Sequence, residues 1–242
     1  MDYEGKTIVV TGASKGIGKA IAQKCASRGA NVVAIYKSDD RAAEALKNEI
    51  DQKLLIIKAD VSEEADVKRA ISQVVKQFGG IDALVNNAGT DIRGPIADFK
   101  LEDWNTIMGS NLTSVFLCTK YSIPYLEKSK SGVIVNVASR LGFAEVYGEK
   151  FIPYSAAKAG VIKFTLNAAK ELSSRDIRVN AIIPTVTKTE LIGKLFTKEE
   201  IELFERESRL GTPDEAANLA IELIDDLSAN GKILTDKRVK TK

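Results

Sequence analysis

Thr11-Gly12-Ala13-Ser14-Lys15-Gly16-Ile17-Gly18 is the stretch on which the fold turns. It follows an apolar, β-branched run at 7–10 and opens a segment of helical spacing at 16–27, so it reads as a strand-to-helix turn. Three glycines there allow a tight bend, a close backbone approach to phosphate and close packing of helix on sheet. The unpaired N–H groups and positive dipole end of the helix supply the attraction. The spacing is not that of a Walker loop, because five residues separate Gly12 from Gly18 and Lys19 is followed by Ala20. Nor is it the usual G-x-G-x-x-G order, since the single-residue gap comes last. A glycine-rich turn that binds nothing is the competing reading of this segment alone.

Working outward, short runs rich in Val and Ile recur at 31–36, 54–58, 83–86, 132–137 and 177–183, each reading as a strand buried on both faces. Longer segments of helical spacing lie between them, at 41–51, 63–77, 104–127 and 154–172. A last strand-like run follows Lys232. This alternation predicts an α/β fold: one Rossmann-type, doubly wound parallel sheet of about seven strands with helices on both faces. There is no internal repeat, low-complexity stretch or linker, so 1–242 is expected to be a single dinucleotide-binding and catalytic domain. The segment 184–212 is charged and has no strand-like run; about 185–212 is expected to be a substrate loop. The basic, polar end at 236–242 is expected to fray.

Composition narrows the chemistry. The chain has 242 residues, 44% hydrophobic and 28% charged, and 35 Lys+Arg against 33 Asp+Glu leave a net charge of +2. That balance gives no field for nucleic acid or an anionic membrane, so neither is an expected partner. The absence of histidine excludes Ser-His-Asp hydrolysis and HExxH metal sites. Cys25 and Cys118, far apart and without CxxC spacing, predict no metal centre. The acidic start and the lack of a long apolar run predict a cytoplasmic protein.

Two further signals fall at strand ends. Asn86-Asn87-Ala88-Gly89 closes the fourth strand and Ser139 the fifth, and in an open doubly wound sheet such ends face one cleft. Tyr154 and Lys158 stand four apart on a predicted helix, hence on one face. A lysine cation within about 4–6 Å of a phenol favours the phenolate, which would tune Tyr154 as a proton donor without histidine. Each residue also has a plain structural reading: a solvated helix face, a turn former, a loop cap.

Through these five motifs, Asn111 in the long helix included, the chain resembles the short-chain dehydrogenase/reductase family over essentially its whole length. It is most similar to the 3-oxoacyl-[acyl-carrier-protein] reductase branch. The resemblance implies hydride transfer between a nicotinamide cofactor and a carbonyl or secondary alcohol, with a 3-oxoacyl thioester as a candidate substrate. A sugar, polyol or small-ketone dehydrogenase and a non-catalytic dinucleotide sensor are the alternatives. It implies Tyr154 as general acid, Lys158 as the group that lowers its pKa and holds the nicotinamide ribose, Ser139 as carbonyl orienter, and Asn111 as holder of a water in a proton path. Cofactor contacts are implied for Gly12, Ser14, Lys15, Gly16, Ile17 and Gly18, for Tyr36, Lys37 and Ser38, for Asp60 and Val61 at the adenine, for Asn87, Ala88 and Gly89, for Tyr154 and Lys158, and for Pro184 and Thr189.

The second strand ends Tyr36-Lys37-Ser38, with acids only at Asp39 and Asp40. Lys15 and Lys37 would reach a 2′-phosphate, so NADP(H) is favoured and NAD(H) is the alternative. The chain departs from the family in three places. Ser139 and Tyr154 are slightly further apart than usual, Thr185 stands where a glycine is usual, and the last strand lacks a following glycine pair. A dimer or tetramer is expected through Ile107, Leu112, Phe116, Phe164 and Leu166. Lys128, Lys130 and Lys170 are candidates for docking a carrier protein.

Overall fold

The computed structural model describes residues 2–50, 53–142 and 150–239. Seven parallel strands form the central sheet: β1 (Thr7–Thr11), β2 (Asn31–Tyr36), β3 (Leu54–Lys58), β4 (Ala83–Asn86), β5 (Val133–Val137), β6 (Arg178–Ile183) and, late in the chain, β9 (Ile233–Thr235), in spatial order β3-β2-β1-β4-β5-β6-β9. The order reverses between β1 and β4, whose register pairs Val10 with Val85; this crevice is where a doubly wound sheet places its ligand. Two-residue periodicity sorts the side chains of β1. Ile8 and Val10 enter one core with Ile21 and Cys25 of α1 (Gly16–Ala26), whereas Val9 enters the opposite core with Val67 of α3 (Glu64–Phe78). α2 (Asp40–Glu49) completes the first half.

The predicted helix at 104–127 is three pieces: α4 (Leu101–Met108), a π-helical turn Gly109–Thr113, and α5 (Ser114–Leu126). The inserted turn re-aims side chains in mid-helix, and such bulges collect at functional sites. Ile107, expected on an outward face, is fully buried, while Phe116 is 47% and Leu166 42% exposed. Leu166 lies on α6 (Ile152–Leu172).

Three expectations for the C-terminal part need correction. Within 184–212 the chain forms two very short strands, β7 (Val186–Thr187) and β8 (Leu210–Gly211), paired in parallel, with α7 (Glu190–Leu195) and α8 (Lys198–Arg206) between them. The sequence reading gave no helix at Pro213–Asp225, yet α9 is there, opened by a capping box in which Thr212 and Glu215 satisfy each other's backbone N–H groups. Finally, 236–239 is packed rather than frayed, since Asp236 binds Arg238 at 2.7 Å and Val239 is 5% exposed; residues 240–242 lie outside the described residues.

α9 packs on α1, and its Asp225 accepts from the Tyr3 hydroxyl and from Arg28. No helix among the described residues is long and apolar enough to cross a membrane.

Candidate active site

A cavity of about 1900 Å³ opens along the carboxyl ends of β1, β4, β5 and β6, with 184–209 as its outer wall. Its floor is the glycine turn. Gly12 and Gly16 have φ of +63° and +54°, which only glycine adopts at little cost. Each glycine also has a packing reason: a Cβ on Gly12 would come within 3.0 Å of Ala88, one on Gly16 within 3.1 Å of Thr189, and one on Gly18 would run into Asn87 and the Gly12 carbonyl. Gly18 therefore serves packing and lies off the cavity wall.

Beside the turn, Asn87 donates to the carbonyls of Thr11 and Gly12 at 2.9 and 3.2 Å, while Gly89 fits against Asn111 so closely that a Cβ would collide with it. Asn86 points the other way. It donates to Asn136 on β5 at 2.8 Å, and Asn136 donates to Thr165 on α6 at 2.9 Å. This buried polar ladder fixes the rotation and height of α6 against the sheet, and Tyr154, Lys158, Val161 and Thr165 lie along the face so oriented.

Tyr154, Lys158, Ser139 and Asn111 come together at the cavity wall. The Ser139 hydroxyl is hydrogen-bonded to the Tyr154 phenol. Lys158 is 4% exposed, and its Nζ donates to the Val137 carbonyl at 2.8 Å and lies 5.6 Å from the Tyr154 ring centre. The electrostatics differ from the expectation that Lys158 lowers the tyrosine pKa. Burial pushes Tyr154 up to about 12; the Ser139 hydrogen bond pulls it down and nearby Asp91 pushes it up. Burial lowers Lys158 to about 8, and Asp91 opposes that fall. The physical reason is that burial penalises the charged form of each group, and the charge that acts on both is Asp91.

Asn111, on the π-helical turn, is fully buried. Its Nδ2 donates to the carbonyls of Thr90 and Ile107 at 2.6 and 2.9 Å, whereas its Oδ1 is buried without a donor. The collision that bars a Cβ from Gly89 is with this Oδ1, and the same Cβ position lies 3.7 Å from Lys158 Nζ. An orphaned acceptor therefore sits close to the lysine.

At the far end, Lys15 ion-pairs with Asp39 and, at 2.6 Å, with Glu190; Lys37 ion-pairs with Asp60 at 2.6 Å. Ser14, Ile17, Ser38, Ala88, Pro184 and Thr189 line the cavity. Tyr36, Asp60 and Val61 do not: the Tyr36 hydroxyl donates to Asp40 at 2.8 Å, and Asp60 takes hydrogen bonds from Ser62. Thr185 has no positive φ; its hydroxyl donates to the Arg209 carbonyl at 2.7 Å, and Gly211 leaves room for its methyl group.

Two wall residues lie in the stretch 90–95, which the sequence places in the substrate pocket without an individual role for either. Asp91 is 9% exposed, with Oδ1 accepting from the Ile92 N–H at 2.8 Å; burial raises its pKa to about 7. Arg93 makes a two-pronged ion pair with Glu200 of α8 at 2.8 and 2.9 Å and stacks within 5.1 and 5.3 Å of Phe151 and Phe196, tying the outer wall to the β4 loop. Loop residues of this kind carry no periodic signal; only their position directly after Asn-Asn-Ala-Gly pointed to them. Half of the loop between Ser139 and Tyr154, residues 143–149, lies outside the described residues.

Comparison with known proteins gives the same picture. A family model described as short chain dehydrogenase matches residues 6–200. A 3-oxoacyl-[acyl-carrier-protein] reductase of Synechocystis sp. is 42% identical over 212 residues, 86% of this chain and 85% of that protein; one of Thermotoga maritima is 37% identical over 238 residues, 95% and 94%. Among solved structures, the 3-ketoacyl-(acyl-carrier-protein) reductase of Brucella melitensis complexed with NADH has a TM-score of 0.90 at 32% identity, covering 98% of this chain and 99% of that one. A short chain dehydrogenase of Burkholderia cenocepacia in complex with NADP has a TM-score of 0.90 at 30% identity, covering 97% of each.

Proposed function

We propose, from the premise that this chain belongs to the short-chain dehydrogenase family and is a nicotinamide-dependent oxidoreductase of C=O and CH–OH groups, that it reduces 3-oxoacyl compounds to secondary alcohols with NADP(H). The observation that carries the reading is the convergence of Tyr154, Ser139, Lys158 and Asn111 at the carboxyl ends of β4 and β5.

The cavity fits a dinucleotide. The glycine turn, where a Cβ would press on Ala88, Asn87 or Thr189, leaves its backbone bare at the cavity floor, with the N-terminus of α1 behind it. A bound nicotinamide supplies the hydride. Ser139 and Tyr154 donate hydrogen bonds to the substrate carbonyl oxygen, and donors fixed in advance stabilise the alkoxide as charge develops. The proton comes from the Tyr154 hydroxyl, which burial keeps in its protonated form. One of the three Nζ hydrogens of Lys158 is held by Val137. The others remain for the nicotinamide ribose and for a water held at Asn111 Oδ1, through which Tyr154 regains its proton.

NADP(H) is favoured because Lys15 and Lys37 stand at the adenosine end. Their present partners form exposed ion pairs, each worth little, and a 2′-phosphate replaces them with charge-assisted hydrogen bonds. The similarity to reductases of 3-oxoacyl-carrier proteins supports the substrate class, with 185–212 as the substrate loop of a single domain. A dimer or tetramer formed through the exposed Phe116 and Leu166 faces completes the reading; sedimentation as a monomer at micromolar concentration would remove that part. The main test is nicotinamide absorbance with 3-oxoacyl thioesters, small ketones, sugars and their alcohols under both cofactors. Turnover of 3-oxoacyl thioesters ahead of the others supports the assignment. Dinucleotide binding without turnover of any carbonyl overturns it in favour of a sensor.

A further inference from the structure

Most cations of the cavity wall are paired with acids; among the described residues, Lys158, which is held by the Val137 carbonyl, the exposed Lys194 and the half-buried Arg140 have no ion pair. Lys15 faces Asp39 and Glu190, Lys37 faces Asp60, Arg93 faces Glu200 and Arg238 faces Asp236. Arg140 lines the same cavity, yet among the described residues it has neither an ion pair nor a hydrogen bond from its side chain. The charge that bears on it is another cation: burial and the Arg209 guanidinium both hold its pKa down. Arg209 is itself incompletely satisfied. Its Nη1 binds Glu207 at 2.8 Å and its guanidinium lies 5.1 Å from the Phe204 ring centre, but its Nε is buried with no acceptor. The buried carboxyl of the cavity does not compensate this pair, for the charge that acts on Asp91 is Lys158.

Two guanidiniums in one cleft whose single acid partner, Glu207, binds only Arg209 keep a net positive charge, and burial raises its cost. Such an arrangement is relieved by an anion that binds between them, and planar guanidinium forks match carboxylate and phosphate oxygens. We propose that Arg140 and Arg209 form a subsite for an anionic oxygen group carried by the carbonyl substrate, a carboxylate or a phosphate. The proposal rests on the carbonyl-reductase reading and specifies its substrate. Arg140 directly follows Ser139, whose hydroxyl meets the reacting carbonyl, and adjacent Cα atoms are about 3.8 Å apart. An anion held there shares the turn that carries the carbonyl-binding hydroxyl, a placement that suits the carboxylate of a short oxo acid, and the experiment separates it from the phosphate of an extended thioester arm.

The experiment compares kcat/KM within two pairs that share a carbonyl and differ in charge: acetoacetate against methyl acetoacetate, and acetoacetyl-CoA against acetoacetyl-N-acetylcysteamine. Each is measured with the wild type, Arg140→Gln and Arg140→Lys. Charge-assisted hydrogen bonds predict a preference of about 10- to 100-fold for the anion. The acid-to-neutral ratio falls towards one in Arg140→Gln, survives in part in Arg140→Lys, and weakens with salt. A ratio that changes in the first pair identifies a carboxylate, and one that changes only in the second identifies the arm phosphate. A wild-type ratio near one in both pairs, or a ratio unaffected by Arg140→Gln, overturns the subsite and leaves the reductase reading standing. If no carbonyl turns over, the reductase reading fails and the subsite is judged by thermal shift: stabilisation by acetoacetate but not by its methyl ester, lost in Arg140→Gln, upholds it, and equal shifts overturn it.

Discussion

Thr11 and Asn87 hold each other in both directions: the Thr11 hydroxyl accepts from the Asn87 backbone N–H at 3.0 Å, and the Asn87 side chain donates to the Thr11 carbonyl at 2.9 Å. The same hydroxyl also accepts from the Ala88 N–H at 3.0 Å. The ends of β1 and β4 are therefore one rigid piece, on which the glycine turn and the Asn-Asn-Ala-Gly turn are mounted together. Thr11→Val keeps the shape and removes the acceptor, leaving two part-buried N–H groups unpaired. A loss of roughly 2–4 kcal/mol follows, read by urea denaturation, together with weaker dinucleotide binding. Unchanged stability would mean that water replaces the hydroxyl.

Tyr154→Phe lowers kcat for carbonyl reduction by about 10²–10⁴, while dinucleotide binding measured by nicotinamide fluorescence changes only a few-fold. Lys158→Met lowers both, because the same ammonium serves the ribose and the proton path. Normal dinucleotide affinity in Lys158→Met would confine that lysine to the proton path.

Asp91 offers a stability test whose sign is fixed by burial. A carboxyl raised to about 7 binds its proton more tightly in the folded chain than in the unfolded one. Stability therefore declines as pH climbs from about 4, the ordinary carboxylate value, to about 7. Asp91→Asn has no such penalty. Its Tm exceeds that of the wild type by several degrees at pH 8, and the gain vanishes at pH 4. In the oxidation direction the variant's pH profile moves to the acid side, since the Asp91 charge raises the pKa of both Tyr154 and Lys158. A gain that is the same at both pH values would show that Asp91 is ionised throughout.

Lys37→Asp reverses the cofactor preference. The wild type binds NADPH more tightly than NADH by about one to two decades, and the variant loses the attraction and adds a repulsive charge. Titration of both dinucleotides by fluorescence checks this. Tighter NADH binding by the wild type would show that the Lys37–Asp60 pair stays closed.

The strands of the sheet were legible as unbroken apolar runs: 31–36, 54–58 and 83–86 match β2, β3 and β4 residue for residue, although β3, at the sheet edge, is only partly buried. The four residues that meet at the cavity wall, Asn111, Ser139, Tyr154 and Lys158, were legible as motif spacing. α9 escaped because the first half of its inner face is alanine, Ala216, Ala217 and Ala220, which marks a helix face faintly; Ile221, Leu223 and Ile224 and the Thr212-to-Glu215 capping box were the available signals. β7 and β8 have two residues each, too few for any period. The acid partners of Lys15 and Lys37, the clamp of Arg93 on Glu200 and the isolation of Arg140 depend on which loops meet in space, and no local pattern encodes that.

The Tyr3–Asp225 hydrogen bond joins groups 222 positions apart, and its consequence appears at the ribosome. At roughly 5–20 residues per second, Tyr3 emerges some ten to forty-five seconds before the carboxylate that receives it. Through that interval the face of α1 that α9 covers is bare, and the glycine turn has a helix without its backing. The binding half of the chain, though made first, is finished last, so a nascent chain arrested before Asp225 presents its α1 surface to chaperones and proteases.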